Sequence, residues 1–180
     1  MPPDGSTIRH ATREDVNTIF SLIHELAAYE NATDTVKATP ELLAQTLSHA
    51  DPSSPSDSPT FSPGTARTLL LIAPPIEGQD EKVAGMALYF YNYSTWTGRP
   101  GIYLEDLFVR PEYRKKGYGK ALIKRLAKEV VKVDGTRLEW SCLDWNTPSL
   151  AFYESLGATR KGEWVGLRVE GDALGRLAEG

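Results

Sequence analysis

Apolar positions recur along the chain with two different periods. TIRH (7–10), TLLLIA (68–73), KVAGMALYFYN (82–92), GIYLEDLFV (101–109) and TRLEWSCL (136–143) are short runs rich in β-branched, aliphatic and aromatic residues, which predicts strands. GEWVGLRV (162–169) predicts one more. Elsewhere the spacing is helical. Val16, Ile19, Phe20, Ile23, Leu26 and Ala27 predict a helix behind Thr12, whose spacing to Asp15 resembles a capping box. Thr39-Pro40 supplies a capping hydroxyl and a first-turn proline for a second helix, whose apolar side is Leu42, Leu43 and Leu47. Ala121, Leu122, Leu126, Ala127, Val130 and Val131 define one face of a third, with Lys120, Lys124, Lys128 and Lys132 on the other. Pro148 to Leu156 predicts a fourth, stopped by Gly157. The order is strand, two helices, three strands, helix, strand, helix, strand. Without an internal repeat, it predicts α/β layers around a central sheet.

DPSSPSDSPTFSPG (51–64) breaks the pattern with four Pro and five Ser in fourteen residues. Such a segment buries too little to offset its ordering entropy, which predicts a flexible loop. The 50 residues before it are few for a separate core, so one domain over 1–180 is expected. Ser54, Ser58 and Ser62 each precede proline; a tolerated insertion is preferred over a phosphorylation switch. The longest apolar run is LLLIA (69–73), which excludes a membrane-spanning helix, and MPPDGSTIRH has no signal-peptide core. A lone cysteine, Cys142, excludes an internal disulfide and fits a reducing compartment, so a cytoplasmic protein is expected. Net charge is −4, but residues 110–128 hold eight Lys or Arg against Glu112, +7 in all, which leaves −11 elsewhere. The basic stretch suits an anionic ligand and the acidic remainder a cationic one; one basic helix start is too small a footprint for nucleic acid.

Three stretches carry candidate chemistry. In Arg114-Lys-Lys-Gly117-Tyr-Gly119 a glycine-rich turn opens a helix. Its backbone N–H groups can hold a pyrophosphate, or the glycines serve the turn's geometry alone. Tyr153 follows Ser149 by four residues and Asn146 by seven, so the three can share a helical side. Its phenol can donate a proton to a leaving thiolate, or the ring simply packs on the sheet. Glu105 and Asp106 sit in a strand, where acids are depleted and neighbours alternate faces. One carboxylate can look into a cleft, or both face water at a strand end. Cys142 is expected in the core. His10, His24 and His49 lack metal-ligand spacing, and no Walker sequence or nucleophile elbow is present.

Together these residues resemble the GNAT superfamily of acetyl-CoA-dependent N-acetyltransferases, whose Arg/Gln-x-x-Gly-x-Gly/Ala signature matches Arg114-x-x-Gly117-x-Gly119. HELAAYE (24–30), YFYNYSTWTGR (89–99), IYLEDLFVRPEYRKKGYGKAL (102–122) and LDWNTPSLAFYESLGA (143–158) are similar to the spermidine/spermine N-acetyltransferase family. STWTGR and LDWN are closer to its thialysine N-ε-acetyltransferase branch; Ser94 stands where the polyamine branch has aspartate. Lys115 and Lys116 stand where the family usually has a glycine after the arginine.

The resemblance implies the GNAT fold: a central mixed, mostly antiparallel twisted sheet with helices on both faces. It implies acetyl-CoA as donor, no metal, a small-molecule primary amine as acceptor and a homodimer. By the same resemblance Glu105 is the base and Tyr153 the acid. Leu107, Phe108, Val109, Arg114, Lys115, Lys116, Gly117, Tyr118, Gly119, Lys120, Asn146, Ser149 and Tyr153 hold the cofactor. Tyr29, Glu30, Trp96, Glu105, Asp106, Glu139, Trp140 and Ser141 line the amine site. A thialysine-like amino acid or diamine is the expected acceptor. A polyamine acetyltransferase, a protein or peptide acetyltransferase and a non-catalytic CoA-binding module are the alternatives.

Overall fold

A computed structural model describes residues 4–75 and 81–180. They form two compact units, one reaching to Ser141 and one from Cys142 to Gly180. The first holds a five-stranded sheet in sequence order: β1 (Thr7–His10), β2 (Arg67–Ile72), β3 (Val83–Ser94), β4 (Arg99–Val109) and β5 (Leu138–Trp140). Neighbours from β1 to β4 run antiparallel; β5 is parallel to β4. β3 and β4 extend beyond their predicted limits, so the connection between them shrinks to the turn 95–98.

The sheet carries helices on both faces. Leu70, Met86 and Phe108 lie across from one another in register, and Ile72 and Leu88 share their face. These side chains pack against Val16, Ile19 and Leu22 of α1 (Val16–Tyr29) and Leu43 of α2 (Pro40–Thr46). Thr12 and Asp15 form the expected capping box, and the Thr39 hydroxyl accepts the Leu42 N–H. α3 (Tyr118–Lys132) lies against β2 to β5 from the opposite side. Its buried stripe is Tyr118, Leu122, Ile123, Leu126, Glu129 and Val130, whereas Val131, expected inside, is exposed. Glu129 is tolerated there because Arg125, one turn earlier, bonds its carboxylate at 2.9 Å. On this face His10 is buried with its Nε2 3.0 Å from the Tyr89 hydroxyl, and burial lowers its pKa to about 4.

Residues 51–64 are tied to the rest of their unit. The Asp51 N–H donates to Thr60 O, and His49 and Ser62 exchange bonds of 2.9 Å. The Phe61 ring meets His10 edge-on at 4.9 Å and lies 3.7 Å from the Arg67 guanidinium.

The second unit holds α4 (Thr147–Glu154) and α5 (Asp172–Glu179). Cys142 is half-buried rather than in the core. The strand expected over 162–169 is absent: these residues belong to no strand, and Trp164, Val165, Leu167 and Val169 are exposed. Alternation reports an affinity for a pleated surface but names no partner, and without one a run is not a strand. α5 was not foreseen. Among the described residues no helix is long and apolar enough to cross a membrane.

Candidate active site

The candidate carboxylates Glu105 and Asp106 lie where the register of β4 breaks. Asp106 lies opposite Leu88 and Leu104 opposite Tyr89, so Glu105 is an extra residue without a β3 partner, a β-bulge. Leu104 shares the face of Tyr89, toward α3, whereas Asp106, only two residues on, shares the face of Leu88, toward α1. Strict alternation, the premise for placing Glu105 and Asp106 on opposite faces, therefore fails here.

The other edge of β4 opens at the same point. β5 pairs with β4 only over 102–104, so from Glu105 to Val109 that edge has no strand neighbour among the described residues. The Arg110 N–H donates to Ala84 O on β3. Backbone direction alternates along an antiparallel strand, so the N–H groups of Leu107 and Val109 face the open edge while that of Phe108 faces β3. The Val109 carbonyl on this edge accepts a bond from Arg114 Nε at 2.9 Å. The Phe108 side chain is in the core.

Two neighbouring carboxylates, Glu105 and Glu30, act on a third, Asp106. Glu30 follows α1 directly, and burial raises its pKa. Asp106 is raised to about 6, mainly by burial and further by the charges of Glu105 and Glu30. Its folded-state pKa exceeds the unfolded value near 3.8, so between those values the folded state binds more protons and stability falls as pH rises. Asp106→Asn is therefore expected to raise Tm relative to wild type at pH 7–8, with the gain vanishing below about pH 4. A gain that does not vary with pH overturns this assignment.

Past the bulge the α1-side face of the sheet continues through Tyr103, stacked on Phe90 at 5.2 Å and 2.7 Å from the Ser141 hydroxyl. Glu139 lies beside Tyr103 in the parallel register. Tyr29 ends α1, with the Arg114 guanidinium 4.9 Å from its ring. Trp140 pairs with Leu104 and so lies toward the α3 side. Trp96 stands at the tip of the β3–β4 hairpin, 90% exposed, and β4 runs roughly 20 Å from Arg99 to Glu105. The structure does not bring Trp96 to the carboxylates of its own chain. Asn92, Phe90, Tyr103 and Arg137 belong to this face and were missed; the two-residue spacing of Phe90 and Asn92 was their signal.

The basic stretch is less uniform than its composition. Arg110 is taken up by Glu25 at 2.7 Å and by Val83 O. Arg114, Lys115, Lys116 and Lys120 remain exposed around the start of α3. Gly117 is the N-cap with φ +80°, and Lys115 has φ +63°. A glycine suits that second position better, and lysine there costs about 1 kcal/mol of backbone strain. The first helical bond runs from the Ala121 N–H to Gly117 O, so the N–H groups of 118–120 have no intrahelical acceptor. The Tyr118 side chain does not face this turn. It is buried, and its hydroxyl donates to Asp4 at 2.5 Å; burial and that bond push its pKa up to about 12.

In the second unit Asn146 is buried and caps α4, its side-chain oxygen accepting the Ser149 N–H at 3.3 Å. Tyr153 follows Ser149 by four residues on the same helix, half-buried, its ring 5.2 Å from that of Phe152.

The acetyltransferase (GNAT) family model matches residues 41–158. The chain is 37% identical to an L-ornithine N5-acetyltransferase of Arabidopsis thaliana, over 94% of this chain and 86% of the relative. It is 38% identical to a thialysine N-epsilon-acetyltransferase of Bos taurus, over 95% and 96%. Among solved structures, an integron cassette protein from the mobile metagenome of V. cholerae superposes with a TM-score of 0.73 at 24% identity, covering 99% of this chain and all of that one. The signature turn before α3, the bulged strand before it and these relatives together place the chain in the GNAT acetyltransferase family, on the branch that resembles the thialysine N-ε-acetyltransferases.

Proposed function

We propose that this enzyme transfers the acetyl group of acetyl-CoA to the side-chain amine of a small amino acid of the ornithine or thialysine type. The observation that carries the reading is the β4 bulge, which sets an exposed Glu105 and a partly buried Asp106 beside an open strand edge. The residues present suit acetyl-CoA. Outward N–H groups of Leu107 and Val109 can pair with an amide-bearing arm, and the bare N–H groups after Gly117 with a pyrophosphate, with Lys115, Lys116 and Lys120 at the rim. When bound, acetyl-CoA supplies an activated acyl group.

The chain's own residues do the rest. An alkylamine has a pKa near 10 and arrives protonated at neutral pH. The acidic face holds it as a cation, and Glu105 accepts its proton, directly or through water. An outward N–H of β4 could stabilise the acyl oxygen of the bound thioester, where negative charge would develop. Tyr153, assigned by family resemblance, returns a proton to the departing sulfur. Asn146 and Ser149 are assigned to the cofactor on the same ground.

A polyamine acceptor is the second reading, favoured by the line of Glu30, Glu105, Asp106 and Glu139. Against it, Ser94 is buried and its hydroxyl accepts the Thr97 N–H within the hairpin turn. Release of free thiol from acetyl-CoA on adding L-ornithine or thialysine tests the proposal; binding of acetyl-CoA without amine-dependent thiol release makes the chain a CoA-binding module instead. Gly117→Val should weaken acetyl-CoA binding by about tenfold or more in calorimetry, because a β-branched residue is strained at φ +80°. Undiminished affinity removes this turn from the cofactor site.

A further inference from the structure

We propose that Arg137 and Glu139, at the β5 end of the acidic face, hold the α-carboxylate and α-ammonium of the acceptor amino acid. The inference rests on the function proposed above and specifies how that site tells an amino acid from a diamine. Glu139 lies beside Tyr103, and Arg137, two residues earlier, shares its face. Arg137 Nε is 2.8 Å from Glu139 Oε2, and Asn92 Nδ2 donates to the same oxygen at 2.9 Å. A second guanidinium nitrogen of Arg137 donates to Tyr93 O at 3.0 Å. Gly101 makes room for this group, since a Cβ there would stand 2.5 Å from Asn92 Oδ1 and 2.7 Å from Arg137 Cγ. Asn92 Oδ1 itself is buried against Gly101 with no hydrogen-bond partner among the described residues.

Two features make this cluster more than a strand-edge ion pair. The first is charge. Beside Asp106 and Glu139 on the α1-side face, Arg137 adds a guanidinium, which a polyamine would meet as repulsion and a carboxylate as donors beyond those that Glu139 and Tyr93 already use. The paired acid and base match a zwitterionic head group. The second is length. Glu105 lies two residues along β4 from Tyr103, and Glu139 one strand over, so their Cα atoms are roughly 8 Å apart by strand spacing. The side chains of ornithine and thialysine reach about 5–6.5 Å from Cα to the terminal nitrogen when extended. A head group held at Arg137 and Glu139 therefore delivers the reacting amine to Glu105.

L-Ornithine and putrescine carry the same spacer and differ in the carboxylate, so their kcat/KM ratio reads this contact directly. Wild type is expected to prefer L-ornithine, and Arg137→Gln to lower that ratio by about tenfold or more, chiefly through KM for ornithine. Arg137→Lys, which keeps the charge, should retain more of the preference than Gln. A ratio unchanged by Arg137→Gln, or equal losses on both amines, makes the pair merely structural and overturns the inference while leaving the acetyltransferase reading intact. A wild type that prefers putrescine overturns it as well. A wild type inactive on every amine refutes the function and this inference with it.

Discussion

Tyr153→Phe is expected to lower kcat by about 10²–10⁴-fold while leaving the dissociation constant of acetyl-CoA nearly unchanged. The substitution keeps the ring that neighbours Phe152 and removes only the hydroxyl, so α4 and its Asn146 cap should persist. The two readouts separate the roles. A proton donor acts as the carbon–sulfur bond breaks, so its loss appears in turnover, whereas a binding hydroxyl appears in affinity. Turnover at the wild-type rate eliminates Tyr153 as the acid. A loss confined to acetyl-CoA affinity would make it a cofactor contact instead.

Glu105→Gln should cost turnover by a similar factor, with a distinct pH signature. Without the carboxylate the enzyme depends on the fraction of amine already neutral, roughly 10⁻³ at pH 7 for a pKa near 10. The variant's rate should therefore climb about tenfold per pH unit toward pH 10, narrowing the gap to wild type. Glu105 is exposed and has no partner on β3, so the fold should tolerate the amide. A deficit that stays constant across pH contradicts the base assignment and points to a role in binding.

Much of this was legible in the sequence because it depended on local patterns. The capping box at Thr12 and Asp15, the Thr39-Pro40 start and the glycine turn before α3 each occupy a few adjacent residues, and each is where the spacing put it. The strands were found for the same reason. What failed was non-local. The alternation in 162–169 suggested a strand, but pairing needs an edge that the run cannot announce. The bulge at Glu105 arises from the register between β3 and β4 and leaves no mark in YLED itself. The content of the Pro/Ser segment does not announce its ties, which depend on which hydroxyl meets which backbone group, as Ser62 meets His49. Polar pairs such as His10 with Tyr89 and Tyr118 with Asp4 join residues 79 and 114 positions apart, and nothing local foretells them. The candidate site was read in the same uneven way. Its carboxylates and glycine turn were named, but Arg137 and Asn92 were not, because their meeting depends on the gap that Gly101 leaves between strands.

The proposed acceptor is an amino acid's side-chain amine. The most direct test compares kcat/KM for L-ornithine, thialysine, spermidine and a lysine-containing peptide at fixed saturating acetyl-CoA. Ornithine or thialysine is expected first, by about tenfold or more over spermidine and the peptide. Spermidine or the peptide in first place would contradict it.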